Sequence, residues 1–175
     1  MLKLALLVLS LGFGWMPSAM AEGLPGLIEK IRPSIVAIGA VYPSRQPNRR
    51  DDPVLYLGTG FVIGNGRQVV TNEHVLPDDL DTANNQRLAV FSGRGATALA
   101  QVAAVVRRDT VHDLALLEFY GEPLPALRLG DSGRVREGQS VAFTGFPIGN
   151  VLGLYPATHR GIIAAITPIA RPLEN

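Results

Sequence analysis

The chain has 175 residues, a formal charge of +1 and no cysteine, and 47% of its residues are hydrophobic. Its length allows one domain or two small barrels with a shared interface. Without cysteine the fold has no disulfides, and the N-terminus cannot carry a cysteine-linked lipid. The charge argues against a nucleic-acid partner, because both adjacent basic pairs (residues 49–50 and 107–108) are followed at once by aspartate.

The first 21 residues are predicted to be a signal peptide and not part of the fold. Residues 1–3 are Met-Leu-Lys, residues 4–15 are almost wholly apolar, and residues 19–21 are Ala-Met-Ala, a pattern that signal peptidases cleave. An uncleaved membrane anchor is the alternative, but this apolar run is shorter than the ~18 residues that a spanning helix needs. We therefore expect cleavage after Ala21, no later membrane span, and a periplasmic or secreted protein.

One short helix and a series of short strands are predicted next. Apolar residues at positions 24, 27, 28 and 31 have helical spacing, and the Arg-Pro pair at 32–33 is expected to end that helix. Apolar and β-branched runs bounded by Gly, Pro and Asn predict strands. These runs are residues 34–41, 56–63, 68–72, 88–91, 98–106, 114–119, 126–129, 140–145 and 159–166.

The segments between these strands are predicted to be a loop, a linker and a hairpin turn. Residues 42–53 are polar with three prolines and predict an exposed loop, and residues 121–125 predict a linker. The Gly64-Asn65-Gly66 stretch predicts a hairpin, because an Asn-Gly pair accepts the positive φ angles of a tight turn. Many short strands and one helix indicate an all-β fold, a barrel or a sandwich.

Three histidines, His74, His112 and His159, are candidate functional residues. They are too far apart in the sequence to suggest a metal cluster, so no metal site is predicted. A single histidine in a β domain is usually structural. His74 differs because it follows a hairpin strand, where the sheet holds the backbone and the ring stays accessible, as a general base requires.

Asp113 is the second candidate. It precedes the apolar run 114–117 and is therefore expected at the mouth of a buried strand, where a carboxylate is desolvated and needs a partner. A histidine ring would serve, since the carboxylate fixes its tautomer and stabilises the imidazolium. Taken alone, Asp113 is equally consistent with a turn before a strand.

Four segments together resemble the trypsin-like serine proteases of the HtrA/Deg type. They are GTGFVIGNGRQVVTNEHVL, VHDLALLEF, LRLGDSGRVREGQSVAFTGFPIG and ATHRGIIAAI, and LPGLIEKIRPSIVAI resembles that family's entry into its first barrel. The resemblance implies two antiparallel β-barrels of trypsin-like type, here over residues 22–120 and, incompletely, 121–175. It also implies an exported serine endopeptidase that acts on polypeptide substrates and needs no cofactor.

The resemblance assigns roles to both candidates. His74 is the general base, Asp113 its orienting carboxylate, and a serine from the second barrel, within Gly-Asn-Ser-Gly-Gly or Gly-Asp-Ser-Gly-Gly, the nucleophile. Backbone N–H groups of the serine's turn form the oxyanion hole.

The Leu-Gly-Asp-Ser-Gly stretch at 129–133 resembles a nucleophile motif, but it is predicted to be a surface turn. Ser132 follows Asp113 by only 19 residues, ahead of strands that precede the nucleophile in the family, and Arg134 stands where the second glycine belongs. Asp131 and Ser132 are expected to bond to their own backbone. We therefore expect the chain to supply the histidine and aspartate of a triad and to stop before its serine. A non-catalytic module that binds peptides or a protein partner stays open as the alternative, as does a product without function, and no oligomeric state is predicted.

Overall fold

The computed structural model describes residues 23–42, 55–147 and 153–167. Helix α1 (Leu24–Ile31) has the predicted bounds and continues into a 3-10 turn, Arg32–Ser34. Eight strands are described: β1 (Ile35–Val41), β2 (Leu55–Ile63), β3 (Gln68–Thr71), β4 (Arg87–Ser92), β5 (Leu99–Asp109), β6 (Leu114–Phe119), β7 (Ser140–Gly145) and β8 (Ala157–Ile162). The predicted signal peptide and most of the predicted loop 42–53 lie outside the described residues.

The strands form two antiparallel sheets. Strands β1 to β6 close into a barrel in the order β1-β2-β3-β6-β5-β4, and β7 pairs with β8 in a separate two-stranded sheet. The predicted all-β fold, with an incomplete second unit, is therefore confirmed. The boundary between residues 120 and 121 stays a prediction. Within the described ranges, the chain has no helix of the length and apolarity that crossing a membrane requires.

One predicted strand is absent, and two others, β5 and β8, have bounds that differ from the prediction. Strand β5 continues past residue 106 to Asp109, because its last residues pair with β6. Residues 126–129 are not a strand: they form a loop that the barrel holds through the Leu127 N–H, which donates to the Val62 carbonyl oxygen at 2.8 Å. Strand β8 begins and ends earlier than predicted, because its register is set by β7. Thr158 lies opposite Thr144, with 2.8 Å between their hydroxyl oxygens.

The β2–β3 hairpin is confirmed, but its turn differs from the one predicted. Positive φ angles occur at Gly64 (61°) and Gly66 (84°), and not at Asn65. The side chain of Asn65 instead accepts a hydrogen bond from the Arg67 N–H at 2.9 Å. The two glycines therefore supply the backbone freedom, and the asparagine stabilises the turn through its side chain.

Strand β1 is buried on both faces, which explains its continuous apolar sequence. Because side chains alternate along a strand, Val36 and Ile38 join the cluster inside the barrel. Ile35 and Ala37 join a second cluster on the outer side. Phe146 and Leu154 also belong to this second cluster. Burying a Phe or Leu side chain stabilises by about 1.5–3 kcal/mol, so this contact docks the second unit on the barrel.

A hydrogen-bonded contact at Thr59 reinforces the docking. The Phe146 N–H donates to the Thr59 hydroxyl oxygen at 2.8 Å, while the Thr71 hydroxyl donates to the Thr59 carbonyl oxygen at 2.8 Å. Gly145 has no side chain there, and an added Cβ would lie 2.8 Å from the Thr59 hydroxyl oxygen. Strand β2 is therefore tied on one side to the second unit and on the other to the end of β3.

Candidate active site

His74 lies where β3 leaves the barrel. The strand ends at the buried Thr71, residues Glu73–Val75 form a 3-10 turn, and Leu76 then enters the barrel core. The turn is therefore anchored at both ends. The His74 side chain remains 70% exposed, as expected for a ring that a substrate must reach.

Two glycines of β2 make room for this arrangement. A Cβ on Gly58 would lie 2.7 Å from both γ-carbons of Val75, and a Cβ on Gly60 would lie 2.6 Å from a γ-carbon of Val69. Contacts this short cannot be accommodated without movement. The Gly-Thr-Gly stretch is thus required by the close approach of β3 and of the turn that carries His74.

Asp113 ends the loop between β5 and β6. Its φ of 54° is left-handed, a conformation that Asp and Asn adopt more readily than most residues. Asp109 holds the loop from the other side, because its carboxylate accepts from the His112 N–H (3.1 Å) and lies 2.9 Å from His112 Nδ1. The Asp113 side chain is 43% exposed, so the carboxylate is only partly desolvated and not deeply buried.

The structure brings His74 and Asp113 into direct contact. His74 Nδ1 lies 2.6 Å from Asp113 Oδ2, and the His74 backbone N–H donates to Asp113 Oδ1 at 3.0 Å. An ionised carboxylate only accepts hydrogen bonds, so Nδ1 carries the proton in this contact. The ring is then oriented with Nε2 as its proton acceptor.

The same contacts keep the carboxylate ionised. The His74 backbone N–H is the main cause that lowers the pKa of Asp113 below its ordinary value of 3.8; partial burial opposes this, and the His74 ring lowers the pKa further. An ionised, oriented carboxylate beside an accessible ring is the arrangement that general-base chemistry requires.

Two contacts beside the His74–Asp113 pair were not predicted from the sequence. Asn72 Nδ2 donates to the main-chain oxygen of Asp113 (3.0 Å) and to its Oδ2 (3.1 Å). Arg108 Nη1 lies 2.8 Å from Glu73 Oε1, which joins the end of β5 to the His74 turn. Both residues before His74 thus bind the β5–β6 hairpin, and only the polar character of Asn72-Glu73 could have indicated this.

The remaining candidates lie in local structures. Ser132 begins an exposed 3-10 turn, and Asp131 Oδ1 accepts from the Gly133 N–H at 3.0 Å, which confirms the predicted turn. His159 stacks on Phe143 across the β7–β8 pair, with ring centroids 5.2 Å apart. In the part of the chain that the structure describes, no three acidic, histidine or cysteine side chains are grouped to hold a metal ion.

Comparisons with protein families and with individual proteins point to the same family. Residues 58–174 match the trypsin-like peptidase domain family. The chain is 34% identical over 132 residues to the mitochondrial serine protease HTRA2 of Bos taurus and 29% identical over 154 residues to a probable periplasmic serine endoprotease, DegP-like, of Pseudomonas fluorescens. These alignments cover 75% and 88% of this chain but 26% and 28% of the relatives, so the chain spans just over a quarter of their length.

Two solved structures share the fold. The HtrA-type protease AlgW with a decapeptide matches with a TM-score of 0.60 and 21% identity over 79% of this chain and 44% of its own. Deg5 matches with a TM-score of 0.60 and 28% identity over 81% of this chain and 62% of its own. The likeness to AlgW concerns the fold alone.

Proposed function

The chain belongs to the trypsin-like peptidase domain family, with relatives of the HtrA type, and we propose that His74 and Asp113 are the general base and the orienting carboxylate of a serine endopeptidase. The observation that carries this proposal is the 2.6 Å contact between His74 Nδ1 and Asp113 Oδ2. It is the contact that sets the tautomer in a Ser-His-Asp triad.

The chemistry follows from this geometry. His74 Nε2 accepts the proton of a serine hydroxyl as its oxygen attacks the carbonyl carbon of the substrate peptide bond, and later returns the proton to the leaving amine nitrogen. Asp113 keeps its charge during this cycle and stabilises the imidazolium. Positioned acid–base transfer of this kind contributes about 10²–10⁴-fold to a rate.

We place the nucleophile outside the serines of the 175-residue sequence. Ser132 sits in a local turn that lacks a second glycine, and Ser140 begins β7. The proposed nucleophile and oxyanion hole belong to a Gly-x-Ser-Gly-Gly turn of the active protein that is not among these 175 residues. The proposed substrates are polypeptides.

The catalytic test uses the native gene product, including any sequence that its locus encodes after Asn175. A fluorophosphonate probe should label a serine within Gly-x-Ser-Gly-Gly, and the protein should hydrolyse an unstructured polypeptide. His74→Ala should reduce hydrolysis by about 10⁶-fold and Asp113→Asn by about 10⁴-fold. His159→Ala, an exposed histidine outside the pair, is the control and should retain the rate.

The results of this test distinguish a serine endopeptidase from a non-catalytic binding module. Labelling of Ser132, or hydrolysis unaffected by His74→Ala, would refute the proposal. Saturable peptide binding without any labelled serine would favour the non-catalytic module.

We also propose that the protein is exported. The basic, apolar and small-residue segments of residues 1–21 support cleavage after Ala21, and the DegP-like relative is named as periplasmic. N-terminal sequencing of the protein from a periplasmic extract should begin at Glu22. Recovery with residues 1–21 intact in the cytoplasmic fraction would contradict this.

A further inference from the structure

The carboxamide NH2 group of Asn72 is directed at one residue, Asp113. Asn72 Nδ2 lies 3.0 Å from the main-chain oxygen of Asp113 and 3.1 Å from its Oδ2. Both partners are acceptors, so the amide must present its NH2 group to them, and that group has two hydrogens. The orientation of the amide therefore follows from its environment, with the NH2 group toward Asp113 and the amide oxygen away from it.

The first bond holds the loop that ends in Asp113. A left-handed residue other than glycine persists where its surroundings hold it, and Asp113 has a φ of 54°. Asn72 directly follows β3, whose register with β6 places Thr71 opposite Ala115. The side chain thus connects the fixed end of one strand to the carbonyl group just before the next.

The second bond adds a side-chain donor to the Asp113 carboxylate. Asp113 Oδ1 accepts from the His74 N–H, and Oδ2 accepts from His74 Nδ1 and from Asn72. The nearby charged side chains are paired elsewhere, Glu73 with Arg108 and Asp109 with His112, while the Glu73 backbone N–H also lowers the pKa of Asp113. Among the hydrogen bonds of the described residues, Asn72 therefore supplies the side-chain donor to Oδ2 that is not part of the His74–Asp113 pair.

We propose that Asn72 is a positioning residue, which holds the Asp113 carboxylate at the angle that orients the His74 ring. The proposal rests on the proposed function of that pair. Its consequence is that the loss of the Asn72 amide changes the His74–Asp113 hydrogen bond even where the barrel remains folded.

The test is NMR spectroscopy of the isotope-labelled full chain. Asn72→Ala removes both donors, and Asn72→Asp preserves the shape but replaces the amide by a carboxylate. The readouts are the downfield signal of the His74 Nδ1 proton and the pH midpoint of the Asp113 carboxyl carbon. In Asn72→Ala the proton signal should broaden and the Asp113 midpoint should rise, because the donor that lies 3.1 Å from Oδ2 of the charged form is lost. In Asn72→Asp the rise should be larger, because a second negative charge is introduced.

Asn65→Ala is the matched control, since it removes an asparagine side chain that bonds only within the β2–β3 turn. It should leave both readouts unchanged, and thermal unfolding reports whether each variant is folded. A folded Asn72→Ala chain with an unchanged proton signal and an unchanged Asp113 midpoint overturns the proposal. If that variant does not fold, unchanged readouts in Asn72→Asp overturn it.

These readouts need no catalysis, so they are independent of the proposed function. An inactive gene product would refute the endopeptidase proposal and leave the Asn72 test intact. In an active gene product, Asn72→Ala should lower kcat by about 10- to 100-fold with KM unchanged, as expected for a misplaced catalytic group. A change confined to KM would contradict a positioning role.

Discussion

Replacing Gly58 with alanine tests whether packing against β2 holds the turn that carries His74. The added Cβ would lie 2.7 Å from both γ-carbons of Val75, roughly 0.7 Å inside the 3.4 Å at which ordinary van der Waals contact begins. Valine is β-branched and stiff at χ1, so it cannot swing aside. Either β2 or the Glu73–Val75 turn must therefore move, and His74 moves with the turn.

The expected cost combines two opposing effects. Overpacking a well-packed site costs about 1–3 kcal/mol. Gly58 has no positive φ, so alanine also recovers about 0.4–1 kcal/mol by restricting the unfolded chain. We expect a net loss of about 1–2 kcal/mol, which for a chain of this size lowers Tm by roughly 2–8 °C.

The assay is thermal unfolding followed by circular dichroism at neutral pH. Gly130→Ala is the control, because a Cβ at that position meets no atom within 4 Å, and its Tm should stay the same or rise slightly. Val75→Ala in the Gly58→Ala background removes the clashing carbons and should recover part of the lost Tm. An unchanged Tm in Gly58→Ala, or a double variant whose losses simply add, would refute the packing argument.

Three further predictions concern the site and the docking of the second unit. Because the pKa of Asp113 is lowered from 3.8, its ionised form adds stability that is fully present above pH 3.8 and is lost as the pH falls through the lowered folded value. Asp113→Asn should therefore reduce Tm at pH 6, and a reduction that persists undiminished well below pH 3.8 would contradict this. Glu73→Gln and Arg108→Gln should show a coupling of about 0.2–1 kcal/mol in a double-mutant cycle, weaker in 1 M salt; no coupling at low salt would mean that the ion pair does not stabilise the turn. Phe146→Ala, at a side chain 4% exposed, should cost about 3–5 kcal/mol and reduce hydrogen-exchange protection of β7–β8, while Phe143→Ala, 63% exposed, should stay within about 0.5 kcal/mol. Equal losses in the two phenylalanine variants would show that the second cluster does not dock the sheet.

Local patterns predicted the elements where the pattern is strong. The bounds of α1, β6 and β7 agree with the structure. In α1 the apolar residues have helical spacing before an Arg-Pro stop, and in the two strands the apolar residues lie between turn residues. The strand predicted over residues 126–129 was wrong for the opposite reason, because the pattern there is weak. A four-residue stretch such as Ala-Leu-Arg-Leu carries no information about whether a partner strand exists. Here the segment is held by the backbone bond from Leu127 and by the packing of its side chain against the second cluster.

The site was predicted in part. His74 and Asp113 were selected from side-chain chemistry and family resemblance, and the structure places them in contact. Asn72 received no role, because its importance depends on the end of β3 lying beside a loop 41 residues later in the chain. The lowered pKa of Asp113 likewise depends on a tertiary contact, because its main cause is the hydrogen bond from the His74 backbone N–H.

By itself, the sequence determined the all-β class, the family, the β2–β3 hairpin and the two residues proposed for acid–base chemistry. The class and the hairpin follow from side-chain alternation and glycine positions, which are local properties, and the family and the two residues follow from side-chain chemistry and the resemblance of four segments. Only the tertiary structure decided which atoms meet: the pairing of β3 with β6 brings the His74 turn to the Asp113 loop, and the close approach of Val75 explains Gly58. Such contacts join residues that are distant in the chain. Their distances therefore depend on closure of the barrel, which local sequence patterns do not specify.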